Sequence, residues 1–382
     1  METKTYRVAL IGAGMIANSA HIPAMLDMDG RFTLVGVQDV REEAGRFTAR
    51  KQGIPYYEDA ERMLNELKPD LAVVTTPNSS HAPLSIKALE MGVNVVCEKP
   101  IALTYKEAKT IYDTAARVNK LFMAAQTSRF SASVISMFEM IDMGILGDIY
   151  YCDAEVLRRR GVPKWGMFHM KEANGGGSFS DQSVHLIDTM VHANKAPRPL
   201  TVSGSAYAEI MPQGENLYVS NAEAGAYGGD TFKAREYSNR EFGVEEFATA
   251  FVRFDNGLTM QIKSAWAINL EGNKGASLRL AGTKGGIYIP NNKEGDFHIY
   301  TNMGPYRTEI LPHIVDNTNN KLGWGHWAFY RHVVEVMDGK IEFQVTPREA
   351  MITALILDMF YRSAKEKREV RVEEIVPGEI GS

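Results

Sequence analysis

Three side chains in this sequence have the types and spacing to move a proton and hold a developing charge. Lys99 ends the apolar run "VVCEKPIALT" (Val95–Thr104). An ammonium group at the end of a buried strand is costly unless something uses it, and a low-dielectric setting lowers an amine pKa toward a useful range. Further on, the glycine-rich "NGGGSFSD" leads into "SDQSVHLIDT". There Asp181, His185 and Asp188 fall at i, i+4 and i+7, on one face of a helix. An imidazole on such a face can take a hydroxyl proton, and a carboxylate can orient the substrate or the ring. Plainer readings exist. Lys99 could be a surface lysine just past a strand, and the helical stripe could simply face solvent. Extended by His192, the stripe could also ligate a metal. No metal is expected, because there is no H-E-x-x-H and no nearby cysteine completes a site. The two cysteines, Cys97 and Cys152, cannot build a disulfide framework or a zinc site by themselves.

A second set of residues has the form of a dinucleotide cradle. "GAGMIA" (Gly12–Ala17) follows the first apolar run and opens a helical pattern, which fits G-x-G-x-x-A. Gly12 makes the tight turn, Gly14 lets a pyrophosphate approach the backbone, and Ala17 lets the helix pack on the strand. Met15 and Ile16 open the helix whose N-terminal N–H groups face the phosphates. Asp39 ends the second run, where an acid binds ribose hydroxyls and repels a 2′-phosphate. Arg41 could pair with that phosphate instead, so NAD is favoured and NADP is the lesser alternative. Ligands of a doubly wound sheet lie beyond the carboxyl ends of its strands. That rule adds Thr76, Pro77, Asn78 and His81 from "TTPNSSH", Glu98 and Lys99 from "CEKP", and Gln126 from "LFMAAQTS". Lys99 then falls at the nicotinamide end of the cleft. Pro100 shapes the turn there, and a cis Lys99–Pro100 bond is one form that turn can take.

The elements that must position these residues follow from hydrophobic periodicity. "YRVALIG", "FTLVGVQDV", "DLAVVTT", "VNVVCEK" and "LFMAAQTS" read as strands covered on both faces. Helical patterns at Ile16–Met28, Arg41–Gln52, Ala60–Leu67, Ala82–Met91 and Tyr105–Val118 alternate with them, which implies right-handed βαβ units and a parallel sheet. Near residue 125 the pattern changes. A helix at Ser131–Met143, a strand at Ile149–Val156 and a helix at Asp181–Ala193 precede longer β segments. The turns Asp255–Gly257 and Gly282–Gly286 suit hairpins, so this half reads as a mostly antiparallel sheet. Residues 213–243 read as a long loop, and helices at His326–Met337 and Pro347–Lys367 close the chain.

"GAGMIA", "TTPNSSH", "EKPIALT" and "GGGSFSDQSVHLID", in this order and spacing, resemble the Gfo/Idh/MocA oxidoreductase family over essentially the whole chain. The resemblance implies an N-terminal Rossmann domain, placed at residues 1–124. It also implies a C-terminal α+β domain with a large, mostly antiparallel open sheet, placed at 125–382. That sheet often buries its free face in an oligomer, so a homodimer or homotetramer is expected. The resemblance assigns Lys99, Asp181 and His185 to the family's catalytic groups. The family usually has glycine two residues before the histidine; here Ser183 stands there, which bears on substrate shape and not on the chemistry.

The reaction so implied is hydride transfer between a secondary alcohol carbon and nicotinamide. His185 acts as base, Lys99 steadies the oxygen and Asp181 orients. The substrate class implied is a sugar, cyclitol or glycoside. Within "RRRGVPKWGMFHMK" (Arg158–Lys171), Trp165 and Phe168 could stack on a sugar ring, and Arg159 or Arg160 could hold hydroxyls or a carboxylate; plain core packing competes for each aromatic. "GWGHW" (Gly323–Trp327) is a second aromatic element, with His326 either facing the site or capping a helix. Two other classes stay open: a glycoside-cleaving enzyme that oxidises its sugar transiently with bound NAD, and a non-catalytic dinucleotide sensor. The composition limits partners. With 45% hydrophobic residues, 23% charged residues and a net charge of −5, no basic block points to nucleic acid. Apolar runs fall short of the roughly 20 residues that span a bilayer. The N-terminus lacks a signal-peptide layout, so a cytoplasmic setting is expected.

Overall fold

The computed structural model describes residues 4–164, 166–213, 237–272, 275–292, 297–313 and 325–377. Most of the 213–243 segment, Trp165, and Gly323–Trp324 therefore lie outside the described residues.

The first sheet contains β1 (Tyr6–Ile11), β2 (Phe32–Gln38), β3 (Tyr56–Tyr57), β4 (Leu71–Val74), β5 (Asn94–Cys97) and β6 (Phe122–Ala124). Its order is β3-β2-β1-β4-β5-β6, with every pairing parallel. Period-two alternation decides what each strand buries. On β1, Tyr6, Val8 and Leu10 join one core while Ala9 and Ile11 join the other. The first core takes α1 (Ile22–Leu26) and α2 (Glu42–Gln52); the second takes α3 (Ala60–Leu67), α4 (His81–Glu90) and α5 (Tyr105–Val118). A capping box, Thr104 with Glu107, starts α5 and fixes the chain as it leaves β5. The strand order reverses between β1 and β4, which opens the crevice at their carboxyl ends.

The second sheet contains β7 (Ile149–Leu157), β8 (Pro199–Tyr207), β9 (Phe247–Phe254), β10 (Thr259–Ala265), β11 (Ser277–Gly282), β12 (Gly285–Ile289), β13 (His298–Met303), β14 (Tyr306–Ile310) and β15 (Val370–Arg371). The order is β14-β13-β12-β11-β7-β10-β9-β8-β15, antiparallel except for the β7–β10 pair. The hairpins expected at Asp255–Gly257 and Gly282–Gly286 join β9 to β10 and β11 to β12. One face packs on α6 (Ala132–Asp142), α8 (Val184–Ala193) and α10 (Pro347–Glu366) through Met137, Ile187, Met190, Ile356 and Phe360. A four-residue α7 (Lys171–Asn174) precedes α8. The opposite face carries ion pairs such as Lys263–Glu155 at 2.6 Å and Arg279–Asp153 at 2.9 Å.

Two features differ from the periodicity reading. The helix expected at Ile16–Met28 begins with a π-turn, Ala17–His21, before α1. The helix expected at Asp181–Ala193 likewise begins with a π-turn, Phe179–Ser183. Each widens the helix by one residue and shifts the face that follows. In addition, α9 (His326–Met337) lies far past residue 124 in sequence yet packs with β1 and β2 through Phe329, Tyr330 and Val333. Among the described residues no helix is long and apolar enough to cross a membrane.

Candidate active site

Five strand ends of the first sheet form the floor of the site. After β1, Gly12 has φ +96°, and a Cβ there would lie 2.8 Å from the Thr75 carbonyl carbon. Only glycine fits. At Gly14 a Cβ would meet nothing nearer than the Thr75 carbonyl oxygen at 3.8 Å, so the turn is open on that side. Asp39 is turned toward this loop: one carboxylate oxygen accepts the Ala13 N–H at 2.7 Å and the other accepts the Arg41 N–H at 2.8 Å. Met15 and Ile16 are half-buried at the start of the following turn.

After β4, the Thr76 hydroxyl is buried without a partner among the described residues, as is Gln126 Oε1 after β6. Pro77 is exposed at the rim. Asn78 and His81 instead tie the loops together. Asn78 Nδ2 donates to the Asn174 carbonyl at 3.0 Å. The two ring nitrogens of His81 lie 2.7 Å from the Pro100 carbonyl and 2.8 Å from that of Thr76. The Lys99–Pro100 peptide is cis.

Glu98 lies beneath this surface, 7% exposed. His21 bridges the Tyr330 hydroxyl, 2.7 Å from Nδ1, and Glu98, 2.8 Å from Nε2. His326, the first residue of α9, faces the same carboxylate and stands edge-on to His21. Burial pushes the Glu98 carboxyl up, but the His21 hydrogen bond and the His326 ring 3.8 Å away pull it well below the usual range. His21, Glu98 and His326 hold ligand-type atoms within 4.8 Å of one another, so they could hold a metal ion. The hydrogen bonds already account for the carboxylate.

The decisive contact crosses the two sheets. Lys99 Nζ donates to the Asp181 carbonyl at 2.9 Å and to Asp181 Oδ1 at 3.0 Å. Trp266 Nε1 donates to the other carboxylate oxygen at 3.0 Å. Burial raises the Asp181 pKa, but the Lys99 and Arg158 charges bring it below its ordinary value. His185 stands in the same field. Burial first, and the Lys99 charge second, push its pKa down to about 3, and its Nδ1 is buried without a partner. The site thus holds an ammonium, an ionised carboxylate and a neutral imidazole.

Other expected residues have protein partners of their own. Asp188 is turned from the site into a bidentate pair with Arg129, at 2.5 and 2.7 Å, so positions 181, 185 and 188 do not serve the site as one stripe. His192 pairs with Glu349 at 2.7 Å. Arg160 donates to the Ile268 carbonyl at 3.1 Å and to Asn269 at 2.7 Å; Arg158, two residues earlier, is the arginine whose charge acts on Asp181. With the Gln182 amide turned to match, Arg158 Nε also donates to it at 2.9 Å. Phe168 packs on a small cluster that includes Val162, Met211 and Trp266. Trp327 is core, with its indole N–H on Asp27 at 3.0 Å. Sequence reasoning missed Trp266 altogether. "KSAW" at the end of a strand was its only signal.

The ionisation pattern predicts how stability responds to pH. His81, His185 and His326 all have pKa values below the ordinary 6.5, chiefly through burial, with His185 near 3 and His326 near 4. The unfolded chain binds these protons near pH 6.5 and the folded chain only well below it. Their stabilisation is therefore complete above about 6.5 and is lost as pH falls. At pH 5, His185 and His326 together cost about 4 kcal/mol. Glu245 and Asp188, whose pKa values are raised by burial, offset part of this. The unfolding temperature is expected to drop steadily from pH 7 to pH 5 in a calorimetric series; a flat or rising profile would contradict the buried, neutral state of these rings.

Comparison with known proteins matches residues 6–126 to the model of an oxidoreductase family with an NAD-binding Rossmann fold, and residues 138–372 to the C-terminal alpha/beta domain of the same family. The chain is 29% identical over 374 residues to the D-glucoside 3-dehydrogenase of Escherichia coli K12, covering 97% of this chain and 99% of that one. Among solved structures, an NAD-binding protein from Listeria innocua superposes with a TM-score of 0.75 at 24% identity, covering 98% and 100% of the two chains. A levoglucosan dehydrogenase in complex with NADH and levoglucosan superposes with a TM-score of 0.78 at 19% identity, covering 97% and 100%.

Proposed function

Because the chain belongs to the Gfo/Idh/MocA oxidoreductases and is an NAD(P)-dependent oxidoreductase of CH–OH groups, we propose that it oxidises a ring hydroxyl of a glucoside or related sugar, with NAD preferred. In this reading residues 1–124 hold the dinucleotide and residues 125–382 supply the substrate groups. The observation that carries it is the Lys99–Asp181 pair, which joins an amine from the nucleotide half to a carboxylate beside His185. The end-to-end similarity to a D-glucoside 3-dehydrogenase supports the substrate class.

The residues present fit a dinucleotide. Gly12 and Gly14 shape the turn, and Thr76 Oγ1 and Gln126 Oε1 have unspent hydrogen-bonding capacity at the strand ends. Each Asp39 oxygen accepts one N–H and keeps a lone pair for a ribose hydroxyl, while its charge opposes a 2′-phosphate. When bound, the nicotinamide ring supplies the hydride acceptor. The chain's own groups handle the proton and the charge. His185, neutral and with an open nitrogen, takes the hydroxyl proton and becomes imidazolium. Lys99 donates a hydrogen bond to the oxygen as charge gathers there. Asp181 holds the ammonium in place.

The test is absorbance at the reduced-nicotinamide band with NAD or NADP against glucosides, free sugars, cyclitols and sugar acids. Reduction is expected with a glucoside or sugar, and faster with NAD. Glycoside cleavage without net NADH would favour the transient-oxidation alternative. NADH binding with no reduction across the panel would sink the dehydrogenase reading in favour of a sensor.

A further inference from the structure

Glu245, just ahead of β9, is a buried carboxylate, 6% exposed, that the proposed chemistry does not use. Its Oε2 accepts the Gly177 N–H at 2.9 Å. Its Oε1 accepts the Phe179 N–H at 2.9 Å and the Tyr361 hydroxyl at 3.0 Å. The Tyr361 oxygen in turn accepts the Ser180 N–H at 3.1 Å, and the Glu245 backbone carbonyl accepts that of Ser178 at 3.0 Å. Consecutive N–H groups from 177 to 180 therefore end on two residues from other elements. The next one, on Asp181, closes the first turn on the Gly177 carbonyl at 3.0 Å. The glycines before the turn are what let this clamp close. A Cβ at Gly176 would lie 1.8 Å from the Tyr361 hydroxyl, and one at Gly177 would lie 1.8 Å from the Glu245 carbonyl.

The first N–H groups of a helix usually find water or a local cap. Here they are held from outside, so the rotation of the turn about its own axis is set by Glu245 and Tyr361. That rotation decides whether the Asp181 carboxylate meets Lys99 and Trp266, and where His185 points four residues on. The same strand link brings Trp266 to the site, since its backbone N–H donates to the Glu246 carbonyl at 2.7 Å.

We propose that Glu245 and Tyr361 are positioning residues for Asp181 and His185, acting through the clamped segment 177–180 and not on the substrate. The proposal rests on the assignment of Asp181 and His185 to the reaction. Its test uses the full chain with Glu245→Gln or Tyr361→Phe. Gln keeps the size but turns an amide NH₂ toward backbone donors. Phe keeps the ring packed against Phe360 and removes only the hydroxyl, so it remains informative should the Gln variant fail to fold.

The first readout is the indole ¹⁵N–¹H resonance of Trp266, identified through Trp266→Phe. It reports the bond to Asp181 and needs no substrate. It is expected to move in Tyr361→Phe while the Trp327 indole, bonded to Asp27, stays put. The second readout is kinetic: kcat is expected to fall about 10-fold with KM for NAD unchanged, as a sub-ångström displacement of reacting groups implies. A wild-type enzyme that turns over nothing would defeat the functional reading and leave the resonance to decide this one. An unmoved Trp266 resonance in Tyr361→Phe would overturn the positioning role.

Discussion

Lys99→Ala and His185→Ala are each expected to lower turnover by at least about 10²-fold while NADH still binds. The two losses arise differently. Without the ammonium, nothing at the floor of the site offsets charge on the carbinol oxygen, and Asp181 loses its 3.0 Å partner. Asp181 would keep the Trp266 indole and the nearby Arg158 charge, so the second sheet should hold its shape. Without the imidazole, the hydroxyl proton has no ready acceptor, since Lys99 is spent on Asp181 and Asp181 is engaged on both oxygens. Single-turnover absorbance measures the loss and fluorescence titration measures NADH binding. Neither side chain touches the glycine turn or Asp39, so cofactor affinity is expected to change little. Near wild-type turnover in both variants would remove the two residues from the chemistry.

Arg129→Met is expected to cost about 3–5 kcal/mol of unfolding free energy, the cost of breaking a buried ion pair from one side. Arg129 is fully buried. It donates from Nε and Nη2 to Asp188 and from Nη1 to Glu349 at 3.1 Å. This places it between the segment after β6, helix α8 and helix α10. Burial raises the Asp188 pKa despite the arginine, so the stranded carboxyl would take up a proton and soften part of the loss. Glu349 would keep His192 and its capping role at Thr346. The shift of the denaturation midpoint measures the cost. The Arg129→Met/Asp188→Leu pair is expected to recover a substantial part of it, because no charge is then left alone. An unchanged midpoint in the single variant would show that the network adds nothing.

Local pattern made much of this molecule legible. The parallel strands announced themselves as short apolar runs between amphipathic helices. Gly12 stands where only glycine fits, whereas the cis form of the Lys99–Pro100 bond is not legible in the sequence. Positions 181, 185 and 188 show where local pattern stops. Their spacing is that of one helix face, and a regular helix would have presented all three together. His185 and Asp188 both lie in α8, after the π-turn at Phe179–Ser183, yet Asp188 is taken up by the buried Arg129.

By itself the sequence determined the order of elements, the glycine turn after β1 and the types of group brought to the candidate site, because these depend on residues a few positions apart. Only tertiary structure decided which groups meet: Lys99 with Asp181, Trp266 behind them, His21 and His326 on Glu98, and α9 in the core of the first sheet. Those contacts join residues tens to hundreds of positions apart. They are selected by how two sheets and their covering helices pack, and a helical or strand period carries no information about a partner on another element.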